Sequence, residues 1–223
     1  MSATNQNDSF PVTNLTHQFL EKRFQSTTTT SVITGLFTAD QTISAIGLGF
    51  HNLSSATYVL KDSGGSPVGS GSLSVAYETD ITYFTAIACR SIEITATSST
   101  TLYLGGISAD DPLYFEYHNI DPRFDYISND SSTQTRGGQA LGVKSKRLNK
   151  YRAVLGHVTL AQKQSLNDML DTVGNVYTFF GDLYDEAHTE ARPLFCKLEG
   201  DGVFKRQSTS NDYVYTIVLK EAR

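Results

Sequence analysis

The densest group of side chains able to do chemistry is Asp182, Asp185, Glu186, His188 and Glu190. Carboxylates this close can bind a hard cation or divide acid and base roles. Their spacing is not that of an EF-hand loop, and they lie between two strand-like stretches, where an acidic solvated loop is the ordinary outcome. No GxSxG or HExxH pattern occurs. His17, His51, His118, His157 and His188 are scattered, with no two at metal-ligand spacing. The glycine-rich residues 64–71 lack the lysine of a phosphate-binding loop, and no helix pattern follows them, so they predict a hairpin. Cys89 and Cys196, the only cysteines, are far apart in strand-like surroundings and predict buried thiols rather than a metal site or disulfide. The expectation is a protein with no catalytic residue, no metal and no cofactor, hence not an enzyme.

Binding chemistry is better represented. Tyr58, Tyr77, Tyr83 and Tyr103 can stack on a sugar face, although tyrosines of this kind are commonly ordinary strand residues. His51 and Asn52 occupy the turn-like Phe50-His51-Asn52-Leu53, where a hydrogen-bonding role for His51 within the turn is the ordinary outcome; the candidate ligand contacts are Tyr58, His51 and Asn52. A basic stretch carries Arg136, Lys144, Lys146, Arg147, Lys150 and Arg152, with no acidic residue between positions 136 and 159. An acidic one precedes it, with Asp110, Asp111, Glu116, Asp121, Asp125 and Asp130. With a net charge of −5 and only Tyr151 as an aromatic in the basic stretch, nucleic acid is not expected as a specific ligand. A head-to-tail contact between copies of the chain would instead set one basic face on the next acidic one. That reading makes Lys144, Lys146, Arg147, Lys150 and Arg152, facing Asp110, Asp111, Asp121 and Asp125, the candidate subunit interface.

The elements that must position these residues are mostly strands. The 223 residues suffice for one large or two modest domains, and 39% apolar with only 18% charged residues leaves a Ser/Thr/Gly/Tyr-rich remainder that favours pleated surfaces. No apolar run approaches the ~18 residues of a membrane span. The polar start lacks the basic and apolar parts of a secretion signal, predicting a soluble protein made in a cytoplasm with no membrane insertion. The sequons at Asn14, Asn52 and Asn129 then read as chance matches.

Residues 1–30 read as a polar arm ending in a threonine run, with the first ten disordered. Leu15, Phe19 and Phe24 need cover, and the arm is expected to find it on the C-terminal domain. Residues 31–108 show short strand patterns separated by turn formers, at 43–50, 57–62, 81–88, 91–96 and 101–105, with Leu73, Val75 and Tyr77 alternating. They predict a jelly-roll-like β-sandwich. An acidic turn with a proline at 108–112 marks the boundary. Residues 109–223 read as an α+β unit. A long strand at 147–158 has Tyr151, Ala153, Leu155 and His157 on one face. A helix follows at 160–173, with Thr159 and Gln162 as a capping box and Leu166, Met169, Leu170 and Val173 as its apolar stripe. Strands at 176–180, 193–198 and 213–220 complete it. The predicted class is mainly β with one principal helix.

Two sets of segments carry a resemblance. Residues 43–56 (ISAIGLGFHNLSSA), Cys89-Arg90-Ser91-Ile92-Glu93-Ile94 and Leu102-Tyr103-Leu104-Gly105-Gly106 resemble a β-sandwich of phage tail proteins and, more broadly, the galactose-binding-like jelly roll. The basic strand at 146–155, the helix from Thr159, the strand end Phe179-Phe180-Gly181-Asp182 and the closing Leu219-Lys220-Glu221 resemble the distal tail proteins of long-tailed bacteriophages. The resemblance spans residues 31–221 and is carried by the order of the motifs. It implies a structural virion protein, a hexameric ring joining the tail tube to tail-tip or hub proteins, with a ring-forming α+β domain and a projecting sandwich. The alternative is a carbohydrate-binding or host-adhesion module of the tail.

Overall fold

A computed structural model of the chain describes residues 1–16, 23–115, 118–127, 131–134, 140–143, 148–173, 179–182, 193–199, 203–206 and 213–221. It divides into two compact units: Met1–Leu113 with Phe179–Phe195, and Tyr114–Thr178 with Cys196–Arg223. Each is described by itself.

The first unit is an antiparallel sandwich. Its strands are β1 (Ser2–Ala3), β2 (Phe24–Gln25), β3 (Thr30–His51), β4 (Leu53–Lys61), β5 (Pro67–Leu73), β6 (Thr79–Ser98) and β7 (Tyr103–Asp110). They run in the order β2-β7-β3-β6-β4-β5, with β1 also on β3. Two of them are far longer than ordinary strands, and this makes the fold. β3 and β6 pair along almost their whole lengths, but the register slips between Leu36 and Gln41 and again between Ile43 and Ala45. Extra residues on each strand let the pair bend together, so that one continuous sheet folds into two layers. The front layer holds β1, the first half of β3, the second half of β6, β4 and β5. The back layer holds β2, β7, the second half of β3 and the first half of β6. Ile33, Leu60, Ile92 and Ile94 from the front meet Ile46, Leu48 and Leu104 from the back in one buried core. Ala45 through Gly49 are buried without a break, the signature of a strand covered on both faces.

The N-terminal residues belong to this sandwich, which corrects the expected docking of the arm on the C-terminal domain. β1 pairs with β3, β2 pairs with β7, and Val12, Leu15 and Phe24 lie in the sandwich core. Phe24 is fully buried, and Leu15 finds the cover it requires; Phe19 lies outside the described residues. The first ten residues are bonded in place rather than disordered, through Thr4 N–H to Val32 O and Asn7 N–H to Gln25 O. The discontinuous element comes instead from the far side of the sequence, because residues 179–195 fall in the sandwich unit. The hairpin predicted in the glycine-rich stretch is the turn at 62–66, where Asp62 accepts the Ser66 and Gly65 N–H groups and Gly65 takes φ +82. Residues 67–73 beyond it are strand, and 74–78 form a loop where alternation suggested a strand.

The second unit contains β8 (His118–Ile127), β9 (Ser131–Gln134), β10 (Ala140–Val143), β11 (Leu148–Val158), the helix α1 (Leu160–Val173), most of β13 (Leu194–Leu198), β14 (Val203–Arg206) and β15 (Tyr213–Glu221). β12 (Phe179–Gly181) and the first two residues of β13 belong to the sandwich unit. β15 pairs with β11 on one edge and with β13 and β14 on the other; β8 pairs with β11, and β9 with β10. The helix bounds match the capping box: Gln162 N–H donates to Thr159 Oγ1 at 3.2 Å and Thr159 N–H to Gln162 Oε1 at 3.0 Å. Leu166 is buried and Met169 and Leu170 half-buried, as the stripe requires. In β11, Ala153 and Leu155 are buried, but His157 is not on their face. A register shift after Leu155 and φ +51 at His157 turn that residue outward and bury Val158 in its stead. The molecule is thus mainly β with one principal helix.

Candidate functional site

β3 begins and ends at the same end of the sandwich, because it bends halfway. Thr30 pairs with Thr97 at the end of β6, and His51 leads directly into β4, whose Leu53 pairs with Ser98. Three connections therefore converge here: the β3–β4 turn, the β6–β7 turn and the loop at 74–78. In a sandwich the loops at one end are the natural place for a ligand, since the sheets behind them are rigid.

Asn52 ties the first two connections together. Its Nδ2 donates to Thr101 O at 2.9 Å and to Thr100 Oγ1 at 3.1 Å, while its Oδ1 accepts the Tyr103 N–H at 2.9 Å. Its own carbonyl accepts from Ser98 Oγ at 2.8 Å. Such an amide is used up by the fold.

The third connection is fastened from beneath by Asp80, a carboxylate only 5% exposed. Asp80 Oδ2 accepts the Tyr77 N–H at 2.8 Å and Oδ1 accepts from Ser74 Oγ at 3.1 Å. The Ser74 N–H donates to Thr82 Oγ1 at 2.8 Å, and His51 N–H donates to Glu78 O at 3.1 Å. A buried carboxylate accepting charge-assisted bonds holds a loop more firmly than neutral bonds do. What it holds up is Tyr77, whose side chain is 45% exposed, beside the exposed Glu78. His51 sits below, 4% exposed, with Nδ1 accepting the Leu53 N–H at 3.3 Å and Nε2 standing 3.9 Å from Asp80 Oδ2. Burial lowers its pKa from the ordinary imidazole value, and the negative charge of Asp80, then of Glu78, opposes that shift.

The three residues expected to touch a ligand are therefore structural. Tyr58 is buried in the core, stacked on Phe84 with centroids 5.0 Å apart and lying against Gly71. His51 is buried, and the Asn52 side chain is saturated by the neighbouring turn. Of the other tyrosines, Tyr103 lies under the Arg23 guanidinium at 4.6 Å. Tyr83 is exposed, but its hydroxyl donates to Asp182 Oδ2 at 2.9 Å. Partial burial and then that bond raise its pKa well above the usual phenol value. Only Tyr77 combines exposure with a backbone fixed at this end. Sequence reading placed it on a strand. The overlooked signal was the Ser74…Tyr77…Asp80 spacing, with short polar side chains able to bond nearby backbone.

The charged candidates fall in both units. Asp110 and Asp111 are exposed at the end of the sandwich strand β7, with Ser44 Oγ donating to Asp111. In the second unit Lys150 pairs with Glu199, and Arg152 is exposed. The register sets Lys150 opposite Asp125 and Arg152 opposite Asp121, so part of the complementarity seen in sequence lies across one strand pair. Lys144, Lys146 and Arg147 lie outside the described residues, as do Asp185, Glu186, His188 and Glu190 of the acidic cluster. Among the described residues no three His, Cys, Asp or Glu side chains are grouped to hold a metal, and no helix is long and apolar enough to cross a membrane. Cys89 and Cys196 are both buried; burial, with Asp40 adding to it, raises the Cys89 pKa.

No protein-family description matches the sequence, and no curated protein matches it. Solved structures align to about half of it. One is chitosan-binding module 1 of a chitosanase/glucanase from Paenibacillus sp. IK-5, 17% identical over 48% of this chain and 91% of that one, with a TM-score of 0.42. Another is the lectin domain of lectinolysin complexed with Lewis B antigen, 12% identical over 50% of this chain and 91% of that one, at 0.44. A third is the family 32 module of C. perfringens NanJ in complex with galactose, 13% identical over 48% of this chain and 90% of that one, at 0.41. Likeness of this degree assigns no family and no ligand.

Proposed function

We propose that the sandwich unit is a carbohydrate-binding module without catalytic activity, taking a sugar on Tyr77 at its loop end. The observation that carries this reading is an exposed phenol ring mounted on a backbone that buried Asp80 already holds in place. A loop backbone that needs no ordering on binding leaves more of the stacking energy for affinity, and a phenol face is apolar enough to lie on the C–H face of a pyranose. Glu78 beside it can accept sugar hydroxyls. The test is a glycan array followed by titration calorimetry on the hits with wild type and Tyr77→Ala. The expected outcome is binding that Tyr77→Ala weakens by on the order of tenfold, about 1.4 kcal/mol, with thermal unfolding unchanged. An array without hits, or equal affinity in the variant, overturns the reading.

The second reading is the tail-tip ring, with tail-tube and hub proteins as partners, the phage virion as location and sugar binding as the sandwich's contribution to host attachment. The exposure of Arg152, Asp110 and Asp111 favours it, because charges for a contact between copies must be accessible. Light scattering across a concentration series is its test. A species of about six subunits, lost when Lys144, Lys146 and Arg147 are neutralised, is expected; a monomer at all concentrations counts against it.

A further inference from the structure

The loop end contains one buried titratable group that ligand binding does not use. His51 is held among Leu53 of β4, Leu104 of β7 and the strand start of β6. The charged groups acting on it are Asp80, on β6, and Glu78, in the loop before it; Leu53 and Leu104 bring none. Its Nδ1 accepts the Leu53 N–H, so the proton of the neutral ring sits on Nε2. That N–H is buried and makes no hydrogen bond; Asp80 Oδ2 stands 3.9 Å away. The same oxygen already holds the Tyr77 N–H at 2.8 Å. A metal does not fit between them: Nδ1 is committed as an acceptor, Nε2 carries the hydrogen, and among the described residues no three His, Cys, Asp or Glu side chains are grouped to hold one.

We propose that His51 is a proton-operated latch on the loop that carries Tyr77. When neutral, it leaves Asp80 Oδ2 to the Tyr77 N–H and the loop is fixed. When a second proton arrives it goes to Nδ1. The bond from Leu53 N–H is lost, since Nδ1 becomes a donor. The imidazolium Nε2–H is then drawn to Asp80 Oδ2 and competes with Tyr77 for it. One protonation thus loosens both the β3–β4 connection at Leu53 and the 74–78 loop at Tyr77. Burial places this event on the acid side of the ordinary imidazole value.

The inference deepens the sugar-binding reading by giving that site a pH control, but its experiment does not depend on a sugar. The His51 ring and the Leu53 and Tyr77 amides are followed by NMR on the full chain from neutral pH downward. The expected result is a single step in both amide signals that shares the midpoint of the His51 ring, below about 6.5. In His51→Gln, whose amide can still accept from Leu53, the shared step is lost. Amides that stay flat through the His51 titration, or a step that persists in His51→Gln, overturn the latch. Sugar affinity is then measured above and below the midpoint. A step without any sugar binding defeats the sugar reading and leaves the latch standing; sugar binding without a step does the reverse.

Discussion

The two outer faces of the sandwich solve opposite problems. On the front layer Val32, Thr95, Thr57 and Ser72 stand in register across four strands, half-buried or exposed, and meet solvent with hydroxyls and methyls. On the back layer Gly47 and Gly49 of β3 and Gly106 of β7 make a floor with no side chains, and aromatic rings lie on it. A Cβ at Gly47 would sit 2.7 Å from the Phe180 ring, and one at Gly106 would sit 2.8 Å from Phe195 Cζ. Phe180 and Phe195 pack on each other with centroids 4.8 Å apart, and Phe50, turned by its φ of +50, meets Phe195 edge-on. The front face is finished by its own side chains. The back face is finished by a segment more than seventy residues further along the chain, and the glycines are absent side chains whose space the phenylalanines fill.

The largest test of that contrast is Phe195→Ala. Phe195 is 6% exposed, and removing a buried ring costs about 3–5 kcal/mol. Thr95→Ala on the front face should stay within about 0.5 kcal/mol of wild type. Urea unfolding of both variants, with the m-value checked for a change in the unfolding unit, reads the difference. Equal losses would mean that the back covering contributes no more than an ordinary surface, and the comparison would collapse.

Gly106→Ala is next, and should cost about 1–3 kcal/mol, because the added methyl meets a ring already wedged against Phe180 and Phe50. The mechanism is separable from helix- or strand-propensity effects by a double-mutant cycle. In a Phe195→Leu background the methyl has room, and Gly106→Ala should become less costly by at least ~0.5 kcal/mol. If the cost is unchanged, the glycine is needed for its backbone and not for the ring above it.

The same contrast explains what could be read in the sequence. The front layer was legible: Ile92, Ile94 and Ala96 alternate with Glu93, Thr95 and Thr97, and period-2 burial of one face is all that pattern needs. The helix was legible to its bounds because Thr159, Gln162 and the Leu166 stripe are local signals. The back layer was not. Ile46-Gly47-Leu48-Gly49 reads as a strand with small residues, but nothing local says that the glycines await rings from 179–195, so that segment reads as part of the C-terminal unit. The arm failed for the same reason: Phe24 announces a need for cover and not where the cover lies. At the loop end, Asn52 and His51 stand out for their chemistry, yet a polar side chain bonded by its own turn and one open to a ligand look alike in sequence. Tyr77 stands out too, but its exposure depends on Asp80 ending the alternation that Leu73 and Val75 begin.

The smallest effect sharpens the comparison most. The back covering is also fastened by a polar contact, the Tyr83 hydroxyl on Asp182. Tyr83→Phe removes it and leaves the ring in place. Tyr83 is 53% exposed, so water can replace the bond, and the loss should not exceed about 1 kcal/mol. Urea midpoints of Tyr83→Phe and Phe195→Ala, measured side by side, decide which contact seats the segment. A loss in Tyr83→Phe that rivals Phe195→Ala would mean that the Tyr83–Asp182 bond positions the phenylalanines over the glycines. A small loss means that ring burial outweighs this bond in seating the segment over the glycines.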